Sequence, residues 1–272
     1  MTDSRPPFSP DQIGSSPVRF SSTGIFETHK DHMVNPYAFT QVPKVAQVEG
    51  IQFTPQAKGQ YPAIVLLHDR WGLVTPVKEM ALRLACEGYV VLVPNLYGRQ
   101  GGMVTANADV AQALMERLNE DQVLQDINAS CEFLNANLAE DAALEQTKRN
   151  LHGVVGLGMG GALALRFACR RRRLKAAVAF YSLIPDGPEI AKQLWCPVLY
   201  HAVAPEESAP DEQLEAFRQV AEREGKDVRI ERYADASIGF CDETYKERYR
   251  PDLAKQAWDT TITFLNSILR AS

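Results

Sequence analysis

From Gly50 onward, short apolar runs alternate with helical patterns, and this alternation constrains the fold more than any other feature of the chain. The runs YPAIVLLH (Tyr61 to His68), YVVLVPNL (Tyr89 to Leu96), LHGVVGL (Leu151 to Leu157), KAAVAFYS (Lys175 to Ser182), PVLYHAV (Pro197 to Val203) and VRIERYA (Val228 to Ala234) are rich in β-formers. Most are continuously apolar, as strands covered on both faces must be. Amphipathic patterns between them predict helices around Val77 to Glu87, Asn107 to Leu138, Gly161 to Arg171, Asp211 to Glu224 and Asp252 to Leu269. The expected fold is α/β, a mostly parallel sheet with helices on both faces.

At 272 residues and 45% hydrophobic, the chain can bury one sizeable core, assigned to residues 46–272. Residues 1–45 read differently: Pro6, Pro7, Pro10 and Pro17 are mixed with serines and no apolar period appears, so they are expected to form an extended or disordered arm. His29 and His32 within it are spaced H-x-x-H, but without cysteines or a carboxylate-rich context they read as a solvated pair rather than a metal site.

A net charge of −5 argues against nucleic acid or an anionic membrane as partner, which leaves a small molecule or a protein. Cys86, Cys131, Cys169, Cys196 and Cys241 are spread singly with no C-x-x-C pair, which fits a reducing compartment and no zinc or redox dithiol. No stretch approaches the ~18 apolar residues of a membrane span. A soluble cytoplasmic protein without metal or cofactor is expected, its oligomeric state left open. The run Arg170 to Arg173 falls at a predicted helix C-terminus, where positive charge complements the macrodipole.

The segment VVGLGMGGALAL, beginning at Val154, reads as strand, glycine turn and helix. Gly156, Gly158 and Gly161 match the G-x-G-x-x-G of a dinucleotide-binding turn, whereas Gly156, Gly158 and Gly160 match the G-x-nucleophile-x-G elbow of an α/β-hydrolase. Context favours the elbow. At least two strand and helix units precede the turn, and the strand after it ends AVAFYS without the carboxylate that a dinucleotide site places there.

Beyond the elbow, the chain resembles the dienelactone hydrolase (carboxymethylenebutenolidase) family. The segments that carry the resemblance are YPAIVLLHDRWGL from Tyr61, GYVVLVPNLYGRQGG from Gly88, GLGMGG from Gly156 and AWDTTITFLNSIL from Ala257. The resemblance implies an α/β-hydrolase fold and a cysteine, histidine and aspartate triad that opens a lactone through an acyl-enzyme. It puts the cysteine position on Gly158, the acid on or beside Glu206 and the histidine on Ile238; no histidine follows His201. The acid that accompanies the resting cysteine corresponds to Asp69, and one of two substrate-binding arginines to Arg99, while the second falls near Asp242.

Without a side chain at position 158 or a base in the family's place, the expectation is a non-hydrolytic protein that binds a small ligand, with a carboxylate suited to Arg99, or a protein partner. The pocket is expected to be lined by Asp69, Trp71, Arg99, Gly158, Met159, Glu206 and Ile238. For Arg99 an ion pair with a nearby acid such as Asp69 stands beside ligand binding. The alternative is an ester or lactone hydrolase with relocated groups, for which His68, His201 and Cys241 are the fallback residues, with Tyr181 and Ser182 in neighbouring strand-end regions.

Overall fold

The structure is a computed structural model that describes residues 6–22, 46–136, 147–204 and 208–270. Eight strands form one sheet: β1 (Ile13–Ser21), β2 (Gln47–Pro55), β3 (Tyr61–Leu67), β4 (Val90–Pro94), β5 (Thr147–Leu157), β6 (Ala176–Phe180), β7 (Val198–Ala202) and β8 (Val228–Arg232), in the order β1-β2-β4-β3-β5-β6-β7-β8. The pairs β1/β2 and β2/β4 are antiparallel, and every later pair is parallel. The helices are α1 (Thr75–Cys86), α2 (Ala108–Glu116), α3 (Glu120–Ala136), α4 (Met159–Arg170), α5 (Asp211–Arg223) and α6 (Pro251–Leu269).

Two apolar layers sandwich the sheet. Side chains of α3, α4 and α5 pack with Val65, Val154 and Tyr200 on one face, and those of α1 and α6 pack with Leu66, Val155 and Leu199 on the other. Neighbouring residues of one strand thus feed opposite cores, as the period of a strand requires, and β3, β4, β6 and β7 read as nearly continuous apolar runs for that reason.

Two departures from the sequence reading have physical causes. Residues Ile13–Ser21, expected in an arm outside the domain, are the edge strand of its sheet: nine residues pair with β2, and Phe20 is buried with its ring stacked on Phe133 at 4.5 Å between centroids. Residues 23–45, with His29 and His32, lie outside the described residues. The single helix expected from Asn107 to Leu138 is two, because Asn119 caps the second: its side-chain oxygen accepts from the Gln122 N–H at 3.0 Å. Asn107 caps α2 in the same way, accepting from Asp109 and Val110. Among the described residues, no helix is long and apolar enough to cross a membrane.

Candidate functional site

The parallel order brings the carboxyl ends of β3, β5, β6 and β7 to one rim of the sheet, where open α/β sheets place their sites. A cavity of about 460 Å³ lies there, bounded by Asp69 and Arg70 after β3, Gly158 and Met159 at the start of α4, Tyr181 and Ser182 after β6, Ile238 after β8, and Met115, Leu118, Val123 and Leu163 from the helices. Glu120 also borders it, held by Arg166 at 2.9 Å.

Gly158 is the hinge of the site. Its backbone, at φ 51° and ψ −113°, occupies a region that strains any residue with a Cβ. Its N–H donates to Phe180 O, and its carbonyl accepts from Gly161 and Ala162, so strand turns directly into helix. Gly160 is required by packing: a Cβ there would lie 2.7 Å from the His68 carbonyl oxygen and nearer still to that of Leu67. That close approach belongs to the elbow frame read from Gly156, Gly158 and Gly160.

The space a nucleophile would fill is taken by Asp69. Its Oδ1 accepts from its neighbour Arg70 N–H at 2.7 Å and from Met159 N–H at 3.0 Å. A Cβ on Gly158 would lie 2.7 Å from Oδ2 and closer to Oδ1. Burial raises the Asp69 carboxyl above its usual range, opposed by the two N–H bonds and by the Arg70 charge. The two donors are the residue after the elbow and a residue of the loop after β3, the positions from which this fold stabilises an acyl oxyanion. Tyr97 steadies both: its hydroxyl donates to Arg70 O at 3.0 Å and lies 3.6 Å from Met159 Sδ.

Asp69, Met159, Gly158 and Ile238 therefore meet as the sequence suggested, whereas Trp71 and Arg99 do not border the cavity. Arg99 is bound to Asp126 through Nε at 2.9 Å and Nη2 at 2.7 Å, and both touch Ser22, so it ties β1 to α3. Its acid is Asp126 and not Asp69. The cation that reaches the cavity is Arg70, its guanidinium 5.1 Å from the Trp71 ring centroid. Arg70 was missed; its place directly after Asp69 at a strand end was the signal. Glu206 lies outside the described residues.

The fallback residues His68, His201 and Cys241 lie outside the lining of the cavity. His68 is buried, accepts from Leu96 N–H at Nε2 (3.0 Å), and so donates from Nδ1 to Asp69 O (2.7 Å); burial lowers its pKa to about 4. Thr261 donates to Ala257 O and so accepts from His201 Nε2 at 2.8 Å, while His201 Nδ1 takes the Tyr233 hydroxyl at 3.0 Å. That ring stacks on Phe180 at 4.2 Å, and burial lowers its pKa to about 3. Neither histidine is protonated near neutral pH, and neither borders the cavity. Cys241 packs with the α1 and α6 layer, where burial pushes its thiol to about 12.

Tyr181 does border the cavity. It sits at φ 38°, strained for a residue with a side chain, and burial, reinforced by Cys241 and Asp69, holds its phenol well above the usual value. The Ser182 hydroxyl beside it is buried and has no hydrogen-bond partner among the described residues.

Residues 48–269 match the profile of the Dienelactone hydrolase family. A protein of Bradyrhizobium sp named as a 2-oxo-3-(5-oxofuran-2-ylidene)propanoate lactonase is 26% identical over 78% of this chain and 86% of its own length. An Aquifex aeolicus protein named as a carboxymethylenebutenolidase is 28% identical over 82% of this chain and 95% of its own. In shape, the chain is similar to a crystal structure from Klebsiella pneumoniae subsp. pneumoniae described as a dienelactone hydrolase, with a TM-score of 0.73 at 22% identity over 93% of this chain and 98% of that one.

Proposed function

The chain belongs to the dienelactone hydrolase family, and we propose that it is a non-hydrolytic member, which holds a small, mainly apolar molecule in the cavity above Gly158. The observation that carries this reading is the Asp69 carboxylate lying over an elbow residue that has no side chain. Acyl transfer needs an atom to be acylated and a base to activate it. Gly158 offers no such atom. Of the cavity's hydroxyls, Ser208 donates to Val203 O, Tyr181 is held protonated, and Ser182 has no base against it among the described residues. A cavity of about 460 Å³ suits a small molecule better than a protein segment.

A second reading, an ester or lactone hydrolase with relocated groups, draws on the names borne by the relatives. It would need a base, and His68 and His201 each have both ring nitrogens engaged away from the cavity. Turnover of p-nitrophenyl acetate and of a dienelactone, measured beside an active family member, separates the two. We expect no rate above background and no labelling by an acyl-enzyme probe. A comparable rate in repurified protein, with labelling, would overturn the non-hydrolytic reading.

A further inference from the structure

Asp69 has only one of its two carboxylate oxygens in use. Oδ1 accepts the N–H groups of Arg70 and Met159, which fixes the side chain over Gly158. Oδ2 accepts from no group among the described residues and, unlike Ser182 Oγ, is not sealed from the cavity that Asp69 borders. Arg70, the next residue, lays its guanidinium 5.1 Å from the Trp71 ring centroid and makes no ion pair with Asp69 among the described residues. The Tyr181 hydroxyl borders the same space, is open to it in the same way, and also lacks a partner among the described residues. Charge from the helices has the sign of Asp69. Arg166, which holds Glu120, is shared with Asp186 (Nη2 to Oδ1, 2.8 Å), so these three groups carry one net negative charge. A desolvated carboxylate without an ion-pair partner is costly, and burial raises its carboxyl accordingly. A cation with N–H donors, placed in the cavity, supplies what the chain does not.

We propose that the cavity takes a small apolar molecule with a primary ammonium or amidinium head, whose N–H groups donate to Asp69 Oδ2 and to the Tyr181 oxygen. The inference rests on the binding reading above and adds the chemistry of the ligand. The body of the molecule lies against Leu118, Val123, Leu163 and Ile238, and the thioethers of Met115 and Met159 suit an aromatic ring there. A carboxylate head in the same place meets Asp69 as a like charge and is rejected.

Benzylammonium, benzyl alcohol and benzoate share one ring and differ in the charge of the head. Calorimetry on the unmodified protein should rank benzylammonium first, roughly tenfold or more tighter than benzyl alcohol, with benzoate last. Asp69→Asn keeps the shape of the side chain and removes its charge. There benzylammonium should lose that advantage, roughly tenfold, while benzyl alcohol stays within about twofold. Tyr181→Phe should weaken benzylammonium by about threefold. In the unmodified protein, benzylammonium should shift the backbone amide resonances of Gly158 and Met159. The ranking of the three probes on the unmodified protein needs no variant, so the test stands if Asp69→Asn does not fold. Benzoate bound as tightly as benzylammonium, or benzylammonium affinity untouched by Asp69→Asn, overturns the inference; with benzyl alcohol still bound, the cavity reading survives. If none of the three probes binds, both fall.

Discussion

Gly158 and Asp69 are coupled through the space they share, and their substitution should show it. Gly158→Cys forces a Cβ-bearing residue into φ 51°, at a cost of about 1–3 kcal/mol, and also drives that Cβ into the Asp69 carboxylate. In an Asp69→Ala background the steric part disappears and the backbone part stays. Urea unfolding of the four proteins should therefore be non-additive, the cost of Gly158→Cys being smaller when Asp69 is gone; additive costs would place the two side chains apart. Single-turnover acylation should appear only when Ile238→His is combined with Gly158→Cys. Equal acylation by Gly158→Cys alone would mean that a native group already serves as base. At this scale the motif told most of the story, since a glycine triplet with fixed spacing can be read from the chain. What it could not tell is where Arg99 points: its partner, Asp126, lies 27 residues away on α3, and nothing near Arg99 in the sequence announces it.

Among the elements, the central parallel strands were legible because burial on both faces leaves an unbroken apolar run. The edge was not. IGSSPVRFS and QVEGIQFTP carry polar residues, Pro17 and Gly50, since β1 is covered on few sides: its ladder to β2 joins it to the sheet, and of its side chains Phe20 alone is buried. Helix α3 was misjudged at its start for a related reason: the break at Asn119 depends on a side-chain cap inside an otherwise periodic stretch. The edge strand makes a prediction. Phe20→Ala should cost about 3 kcal/mol in urea unfolding, because the ring is buried against Phe133. Removal of residues 1–22 should cost more, losing also the ladder to β2 and the Ser22 contact to Asp126 and Arg99. An unchanged midpoint after that truncation would show that β1 adds nothing to the domain.

For the whole molecule, three buried histidines set the response to acid. His68 and His152 are lowered to about 4 and His201 to about 3, each mainly by burial, with the Arg171 charge adding to the effect on His152. Below the ordinary histidine value of 6.5 the unfolded chain takes up protons that the folded one refuses, so stability falls as pH drops from about 6.5 towards about 4. Each histidine should contribute up to about 1.4 kcal/mol per pH unit over that window. Chemical denaturation across it should show the loss, and His201→Gln should make the slope shallower; a flat profile would mean that these rings are protonated in the fold.

The thiols carry the remaining consequence. All five cysteines are free and buried or half-buried; burial pushes Cys131 to about 11, Cys169, Cys196 and Cys241 to about 12, and Cys86 upward. Only a thiolate reacts readily with oxidants and alkylators, so iodoacetamide at neutral pH should leave the native thiols intact, by mass, over a time in which the urea-unfolded chain is fully modified. With glycine at the elbow, no thiol borders the cavity among the described residues, so quinones and unsaturated carbonyl compounds that bond to the cysteine of a thiol enzyme should leave this cavity unalkylated. The soft atoms that remain there are the thioethers of Met115 and Met159, which peroxides turn into sulfoxides.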